Sequence, residues 1–204
     1  MRHYYLVSIV AILTLFFSCE KPEIEGIVYN EVSKEDILGG WKIKDIEFQL
    51  VYNAANPMAW MMPTLKEKMQ ANLREKIRLG SLYIKPDTMY YIIEYDDGTP
   101  TRVHRYGAYT LTSNPAMIYP EYDHLICNAY AKSFYVKYED DRLCLYLVKD
   151  GVIEMLRDDG SLSKTTVNLI NRNIDDAQFY MYLERNHLPL YDEIDSLFYG
   201  GKTN

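Results

Sequence analysis

Residues that could catalyse a reaction are few in this chain and are not spaced for catalysis. Beyond residue 18 there are three histidines, His104, His124 and His187, and the histidines and cysteines form no zinc signature. No nucleophile elbow, phosphate-binding glycine loop or dinucleotide fingerprint is present. The sequence therefore predicts a protein that is not an enzyme and needs no metal or cofactor. A carboxylate or histidine inside the fold could still act as a general base.

Adjacent aspartates offer paired carboxylates, which acid–base chemistry could use. Asp96-Asp97-Gly98 and Asp158-Asp159-Gly160 stand beside glycine at the ends of apolar runs, and Asp140-Asp141 separates two such runs. Aspartate and glycine at these places are typical of turns. We therefore interpret the pairs as turn residues.

The cysteine near the amino terminus has the clearest chemical setting. Arg2 precedes a mostly apolar run of 14 residues, 4–17, which is short for a membrane span and typical of a signal peptide. The sequence Phe16-Phe17-Ser18-Cys19 resembles the loose lipoboxes of Bacteroidota lipoproteins, although its first two positions depart from the usual pattern. The resemblance implies removal of residues 1–18, acylation of Cys19 and attachment to the outer membrane of the cell envelope. An ordinary secretory signal with an incidental cysteine is the alternative.

A polar stretch follows the cysteine. Residues 19–33 are predicted to form the acylated terminus and a tether. Their acidic start resembles a surface-export signal of the same bacteria, so a periplasmic and a surface-exposed domain both stay open. Ser33 is expected to cap one helical turn with Asp36 at the third helical position, as a plug at the closed end of a small barrel.

Cys127 and Cys144 are the other thiols, and an exported chain can oxidise them. Both fall on predicted strands whose pairing the sequence does not fix. A disulfide and two buried free thiols therefore both stay open.

The predicted fold is organised around the stretch that begins Gly39-Gly40-Trp41. Apolar positions alternate from Trp41 onward, but their parity slips by one residue before Ile46, which is what a β-bulge produces. Gly39-x-Trp41 at the head of a first strand resembles the Gly-x-Trp signature of the lipocalins. The resemblance implies an antiparallel barrel whose bottom is closed by the tryptophan.

Two segments after the first strand have their own patterns. Residues 57–63 hold a Met-rich apolar cluster between two prolines, interpreted either as a cover over the barrel mouth or as a soft lip at a ligand or partner site. Residues 64–79 begin with a capping box and repeat an apolar residue every fourth position, which predicts a helix with one packed face.

The rest of the chain predicts a meander of short antiparallel strands, at 82–85, 88–95, 102–112, 124–130, 133–139, 142–148 and 152–157. Residues 165–170 could be a last strand or a strap. A helix is predicted from the capping box Asp175-x-x-Gln178 to Pro189, with a further helical tail at 189–204. The predicted fold class is mainly β: an antiparallel up-and-down, lipocalin-like barrel over 34–188, with one helix after the first strand and C-terminal helices outside.

Three classes of function stay open. The net charge of −7 argues against nucleic acid as a partner. The predicted function is a lipid-anchored barrel that binds a small apolar or amphipathic ligand. A filled, non-catalytic accessory subunit of an envelope assembly is the alternative, and an enzyme that uses the barrel as a pocket is the third class. For the first class the candidate ligand-binding residues are Phe48, Trp60, Met61, Met62, Tyr91, Tyr109, Phe134 and Tyr138.

Overall fold

The computed structural model describes residues 31–76, 80–93, 102–126, 129–160 and 162–186. In chain order the elements are α1 (Lys34–Ile37), β1 (Gly39–Val51), a 3-10 turn (Ala59–Met61), α2 (Met62–Lys76), β2 (Ser81–Ile84), β3 (Thr88–Ile93), β4 (Arg102–Ser113), β5 (Ala116–Pro120), β6 (Phe134–Glu139), β7 (Arg142–Leu147), α3 (Lys149–Asp158), α4 (Lys164–Asn173) and β8 (Asp176–Arg185). The predicted tail at 189–204 lies outside the described residues.

The eight strands form one closed antiparallel barrel, in which each strand pairs with its neighbours in sequence and β8 pairs with β1. The closing seam is the longest, running from Trp41↔Arg185 to Val51↔Asp176. The junction of β5 and β6 is the shortest, with only two residue pairs. The predicted fold class is confirmed, including the helix after the first strand and helices in the C-terminal part of the chain.

The barrel has two different ends. Because neighbouring strands are antiparallel, the β2–β3, β4–β5 and β6–β7 turns lie at the end where β1 begins, and α1 lies there too. We call this the plug end. At the opposite end, the distal end, β1 leads into α2, β5 into segment 121–133, and β7 into α3 and α4.

Trp41 closes the plug end together with α1 and the last strand. Its indole is fully buried, and Nε1 donates a hydrogen bond of 2.7 Å to the carbonyl of Ile37 in α1. The guanidinium carbon of Arg185 lies 4.0 Å from the centre of the Trp41 ring, and its nitrogens donate to the carbonyls of Leu38 and Asp36. The cation thus covers the ring and ties β8 to the plug.

The plug is the single helical turn expected from the sequence. The hydroxyl of Ser33 accepts from the amide of Asp36 at 3.2 Å, and the Asp36 carboxylate accepts from the amide of Ser33 at 2.8 Å. This reciprocal capping box satisfies two amides that would otherwise have no partner at the start of so short a helix.

The predicted bulge in the first strand is confirmed. The register between β1 and β8 shifts between Ile43 and Asp45. The large buried side chains fall at odd-numbered positions up to Ile43 and at even-numbered positions from Ile46 onward. Both Ile43 and Ile46 therefore face the interior although they are three residues apart. The extra residue bends the strand and lets one long β1 serve two parts of the barrel wall.

α2 confirms the predicted helix, with Met69 and Leu73 buried and Leu65 half-buried along one face. It starts two residues earlier than predicted, and residues 77–79 lie outside the described part. Gly80, predicted to stop the helix, directly precedes β2 and lies against the backbone of β3. A Cβ at Gly80 would come within 2.3 Å of the carbonyl oxygen of Ile92, so only glycine fits there.

Two predicted strands are helices. Residues 152–157 lie in α3, where Val152, Ile153, Met155 and Leu156 are buried together at helical spacing. Residues 165–170 lie in α4, which Ser163 caps by accepting from the Thr166 amide at 3.1 Å. The short apolar run in α3 fits both the period of two of a strand and the period of about 3.6 of a helix. The helix forms because it buries one face over the distal end of the barrel.

The helix predicted from residue 175 is wrong, because residues 176–185 form β8. The inward-facing residues alternate along the strand as Phe179, Met181 and Leu183. Burial of this period-two pattern stabilises the strand more than the apparent capping box stabilises a helix. In the strand, the side-chain amide of Gln178 instead donates to the carboxylate of Asp176 at 2.9 Å.

The strand predicted at 124–130 is also wrong. Residues 121–126 form turns, with the amide of Leu125 bonded to the carbonyl of Tyr122 at 3.1 Å, and residues 127–128 lie outside the described part. The fifth strand of the wall is instead β5 at Ala116–Pro120, which the prediction missed because two prolines frame so short a run.

Replacing Arg185 by alanine should lower the free energy of unfolding by about 2–3 kcal/mol, because it removes a cation–π contact and charge-assisted hydrogen bonds. Urea unfolding followed by circular dichroism measures this. The matched control is Arg74→Ala, which breaks an ion pair to Asp45 in which both side chains are more than half exposed, and it should change stability by less than about 0.5 kcal/mol. Equal effects of the two substitutions would contradict the role given to Arg185.

Candidate functional site

The interior of the barrel is packed with side chains. The inward-facing residues of seven strands are Ile43, Ile46, Phe48, Leu82, Ile84, Met89, Tyr91, Ile118, Phe134, Val136, Leu143, Leu145, Phe179, Met181 and Leu183. None of these fifteen is more than 2% exposed, and Leu50 (9%), Ile93 (4%) and Leu147 (3%), which continue the same alternation at the strand ends, are also buried. On the eighth strand, β4, Tyr109 is 8% exposed and Leu111 is half-buried against the core. A cavity large enough for an apolar ligand would leave much more exposed surface on the side chains around it, so these side chains line no ligand-sized cavity.

Four of the eight candidate ligand-binding residues belong to this packed region. Phe48, Tyr91 and Phe134 face the barrel interior, and Met62 is buried at the start of α2. All four are members of one continuous hydrophobic core that also includes the buried faces of α2, α3 and α4. These helices cover the distal end of the barrel.

The other four candidates lie at the two ends of the barrel, where Tyr109 belongs to the rim of the same core and Tyr138 packs against it. Tyr109 and Tyr138 are tied to turns at the plug end: the Tyr109 hydroxyl donates to the carbonyl of Lys85 at 2.9 Å, and that of Tyr138 to the Asp141 carboxylate at 2.7 Å. Burial raises the pKa of Tyr109 to about 12. Trp60 and Met61 lie at the distal end, where Trp60 is exposed and Met61 half-buried. The structure therefore divides the eight residues among three places.

The groups that could do chemistry do not converge in the described part of the chain. Within it, no three histidine, cysteine, aspartate or glutamate side chains are grouped closely enough to hold a metal ion. His104 contacts the edge of Tyr91, and His124 lies between the rings of Tyr122 and Tyr130. His187 lies outside the described residues. The absence of enzymatic activity stays a prediction.

Tyrosines form two stacked rows on the outer wall. One row crosses β2, β3 and β4, and the other crosses β6, β7 and β8, with neighbouring ring centres 5.3–6.3 Å apart. The rows are Tyr83–Tyr90–Tyr106 and Tyr135–Tyr146–Tyr180–Tyr182. Cross-strand aromatic pairs of this kind stabilise sheets. Much of the high tyrosine content therefore serves the wall.

A shallow groove of about 310 Å³ lies on the outer wall beside the second row, with Cys144 in its floor. Cys144 pairs across the strands with Lys137 on one side and Tyr182 on the other. Burial raises the pKa of the Cys144 thiol to about 12, although the Lys137 ammonium acts in the opposite direction. Cys144 is a free thiol in the structure. Cys127, its possible disulfide partner, lies outside the described residues.

Exposed apolar side chains other than tyrosine concentrate at the distal end. Trp60 is 80% exposed, Val51 50% and Leu169 43%. The side-chain amide of Asn56 donates to the carbonyl of Asn173 at 2.9 Å and so joins the Met-rich segment to the end of α4.

We define the distal patch as Val51, Met58, Trp60, Met61 and Leu169. Its five residues lie on the end of β1, on the segment between β1 and α2, and on α4. The sequence signal for it was the cluster between Pro57 and Pro63, and Val51 and Leu169 were missed.

No family model matches this chain, and comparison with curated proteins and with solved structures finds no match either. The closed eight-stranded antiparallel barrel is consistent with a lipocalin-like fold. Among the described helices, none combines the length and the apolar character required to cross a bilayer.

The thiol of Cys144 should react with iodoacetamide at pH 8.5 about a thousandfold more slowly in the folded protein than in urea. Because its pKa is raised to about 12, almost none of it is thiolate at that pH, whereas an unperturbed thiol with a pKa of about 8.5 is half ionised. Peptide mass spectrometry separates its labelling from that of the other cysteines. Fast labelling of the native protein would contradict the burial of this side chain.

Proposed function

We propose that the protein is a lipid-anchored, non-catalytic interaction module of a bacterial outer membrane, built on a lipocalin-like barrel that its own side chains fill. The observation that carries the proposal is the burial of the inward-facing side chains, fifteen of which are at most 2% exposed. Barrels of eight strands can be filled in this way or can hold one small ligand, and this burial favours the first. The outer surface is then what remains for binding.

The sequence of the amino terminus supports the anchor. A positive residue, a short apolar run and Ser18-Cys19 stand in the order of a lipoprotein signal, and the next eleven residues are mostly polar. The chain then enters the barrel at the plug end, because α1 directly precedes β1 there. The anchor is therefore joined to the plug end, and the distal end is the far pole of the domain.

A filled barrel should not bind an apolar molecule of ligand size. We expect no rise in 1-aminoanthracene fluorescence with the wild-type protein, and native mass spectrometry of protein extracted from its own membranes should show the acylated chain with no bound small molecule. The positive control is Phe134→Ala, or Met181→Ala if the former does not fold, since both side chains are fully buried. Either variant should bind benzene in the cavity it creates.

Stoichiometric binding of the dye by the wild-type protein, or a small molecule that co-purifies at one per chain, would contradict the filled barrel and favour a ligand-binding function.

Cys19→Ser should move the protein from the detergent phase to the aqueous phase in Triton X-114 partitioning, because the acyl chains are the expected source of membrane affinity. Cys144→Ser is the matched control and should stay in the detergent phase. Mass spectrometry of the mature amino-terminal peptide should show a triacylated cysteine. A detergent-phase Cys19→Ser variant would contradict lipid anchoring at this position.

A further inference from the structure

We infer that the distal patch docks a second, different protein of the same membrane, through an uncharged apolar pocket that receives the indole of Trp60. This inference rests on the proposed function, because it takes the anchor to be at the plug end. It adds a defined surface and the chemistry of its partner.

The patch lies in a stretch without charge. From Val51 to Leu65 the chain has 15 residues and no aspartate, glutamate, lysine, arginine or histidine, whereas a quarter of all residues in the protein are charged. Burial does not account for this, because residues 53–55, Pro57, Trp60 and Pro63 are exposed. The centres of protein interfaces are depleted in charge and enriched in aromatic residues and methionine.

Trp60 is presented on an ordered turn. The side-chain oxygen of Asn56 accepts from the amide of Met58 at 2.8 Å, while its amide nitrogen donates to Asn173. The carbonyl of Met58 then accepts from the amide of Met61 at 3.1 Å, and Met58 packs against the core. The backbone that carries the exposed indole is therefore already ordered, so little backbone entropy is lost when a partner covers it.

The bilayer itself is a poor occupant of the patch. β1 has 13 residues, which corresponds to roughly 33 Å along the axis of a barrel whose strands tilt by about 40°. The chain from Cys19 to residue 31 reaches at most about 40 Å. Contact between the patch and the anchoring membrane would hold this tether near full extension, at a cost in chain entropy. The stretch also lacks the lysines and arginines that interfacial segments use to bind anionic lipids.

A second copy of the chain is also a poor occupant. Two copies joined patch to patch would point their plug ends, and thus their anchors, in opposite directions, which one membrane does not allow. A different protein that rises from the same membrane meets no such conflict. Sharing a membrane raises its effective concentration, so a patch smaller than a standard interface of about 800 Å² per partner can suffice.

The test places the photocrosslinking residue p-benzoylphenylalanine at position 60, and separately at 169, in the full-length protein in its native cells. The matched control position is Tyr106, another exposed aromatic residue, on the barrel wall. We expect one adduct of the same mass from positions 60 and 169 and none from 106. A second substitution, Val51→Lys, puts a charge into the patch opposite Asp176 in the β1–β8 register. It should lower the yield from position 60 at least tenfold, while the melting temperature does not fall.

The crosslinked protein, once purified, should bind the wild-type chain at least about 30-fold more tightly than Trp60→Asp, as expected for a central interface aromatic. Adducts of equal yield from 60 and 106, an adduct of twice the chain mass, or no adduct would each overturn the inference. Quenching of Trp60 fluorescence by brominated phospholipid vesicles, with Trp60→Phe as the blank for Trp41, would overturn it in favour of the bilayer. If the crosslinking test fails while Cys19 is acylated and the wild-type barrel does not bind the dye, this inference is wrong and the proposed function still stands.

Discussion

The barrel depends on one contact at the end of its closing seam, the stacking of Arg185 on Trp41. The two residues are paired in the register of β8 and β1, so the contact fixes both how far the last strand slides along the first and how the end of the sheet is covered. The guanidinium keeps its hydrogen bonds by donating to carbonyls of the α1 region, while the ring beneath it stays dry. A neutral side chain could cover the ring but could not hold the plug as well.

The packed interior changes what the fold can be used for. Large side chains such as Phe48, Phe134 and Phe179 occupy the volume that a ligand would need in a barrel of this size. α3 and α4 add a second layer over the distal end, since their buried residues continue the same core. In the proposed function the sheet is therefore a rigid support, and recognition is a property of its outer surface and of its distal end.

How much could be predicted from the sequence depended on the range of the interactions. The plug was predictable because Ser33 and Asp36 bond to each other, and the bulge was predictable because Ile43 and Ile46 reveal a parity change within one strand. The β8 strand was misread because four local residues imitate a helix cap, whereas the pairing that decides its structure is with β1, more than a hundred residues away. The short run Val152–Leu156 fits two periods, and only burial against the barrel selects one.

The candidate site was less predictable for the same reason. The Met-rich segment stood out in the sequence, but its partner on α4 is joined to it through Asn56 and Asn173, which are 117 positions apart. The cover of Trp41 by Arg185 had no local signal either.

The two-pair junction between β5 and β6 gives the barrel a built-in weak line. Every other pair of neighbouring strands shares at least four residue pairs, and the tyrosine rows reinforce the walls on either side of this junction. Partial opening of a closed sheet proceeds where the fewest bonds have to break. The barrel should therefore open as two stiff halves, β1–β5 and β6–β8, hinged along the long β1–β8 seam. The tether and plug stay with the half that contains β1.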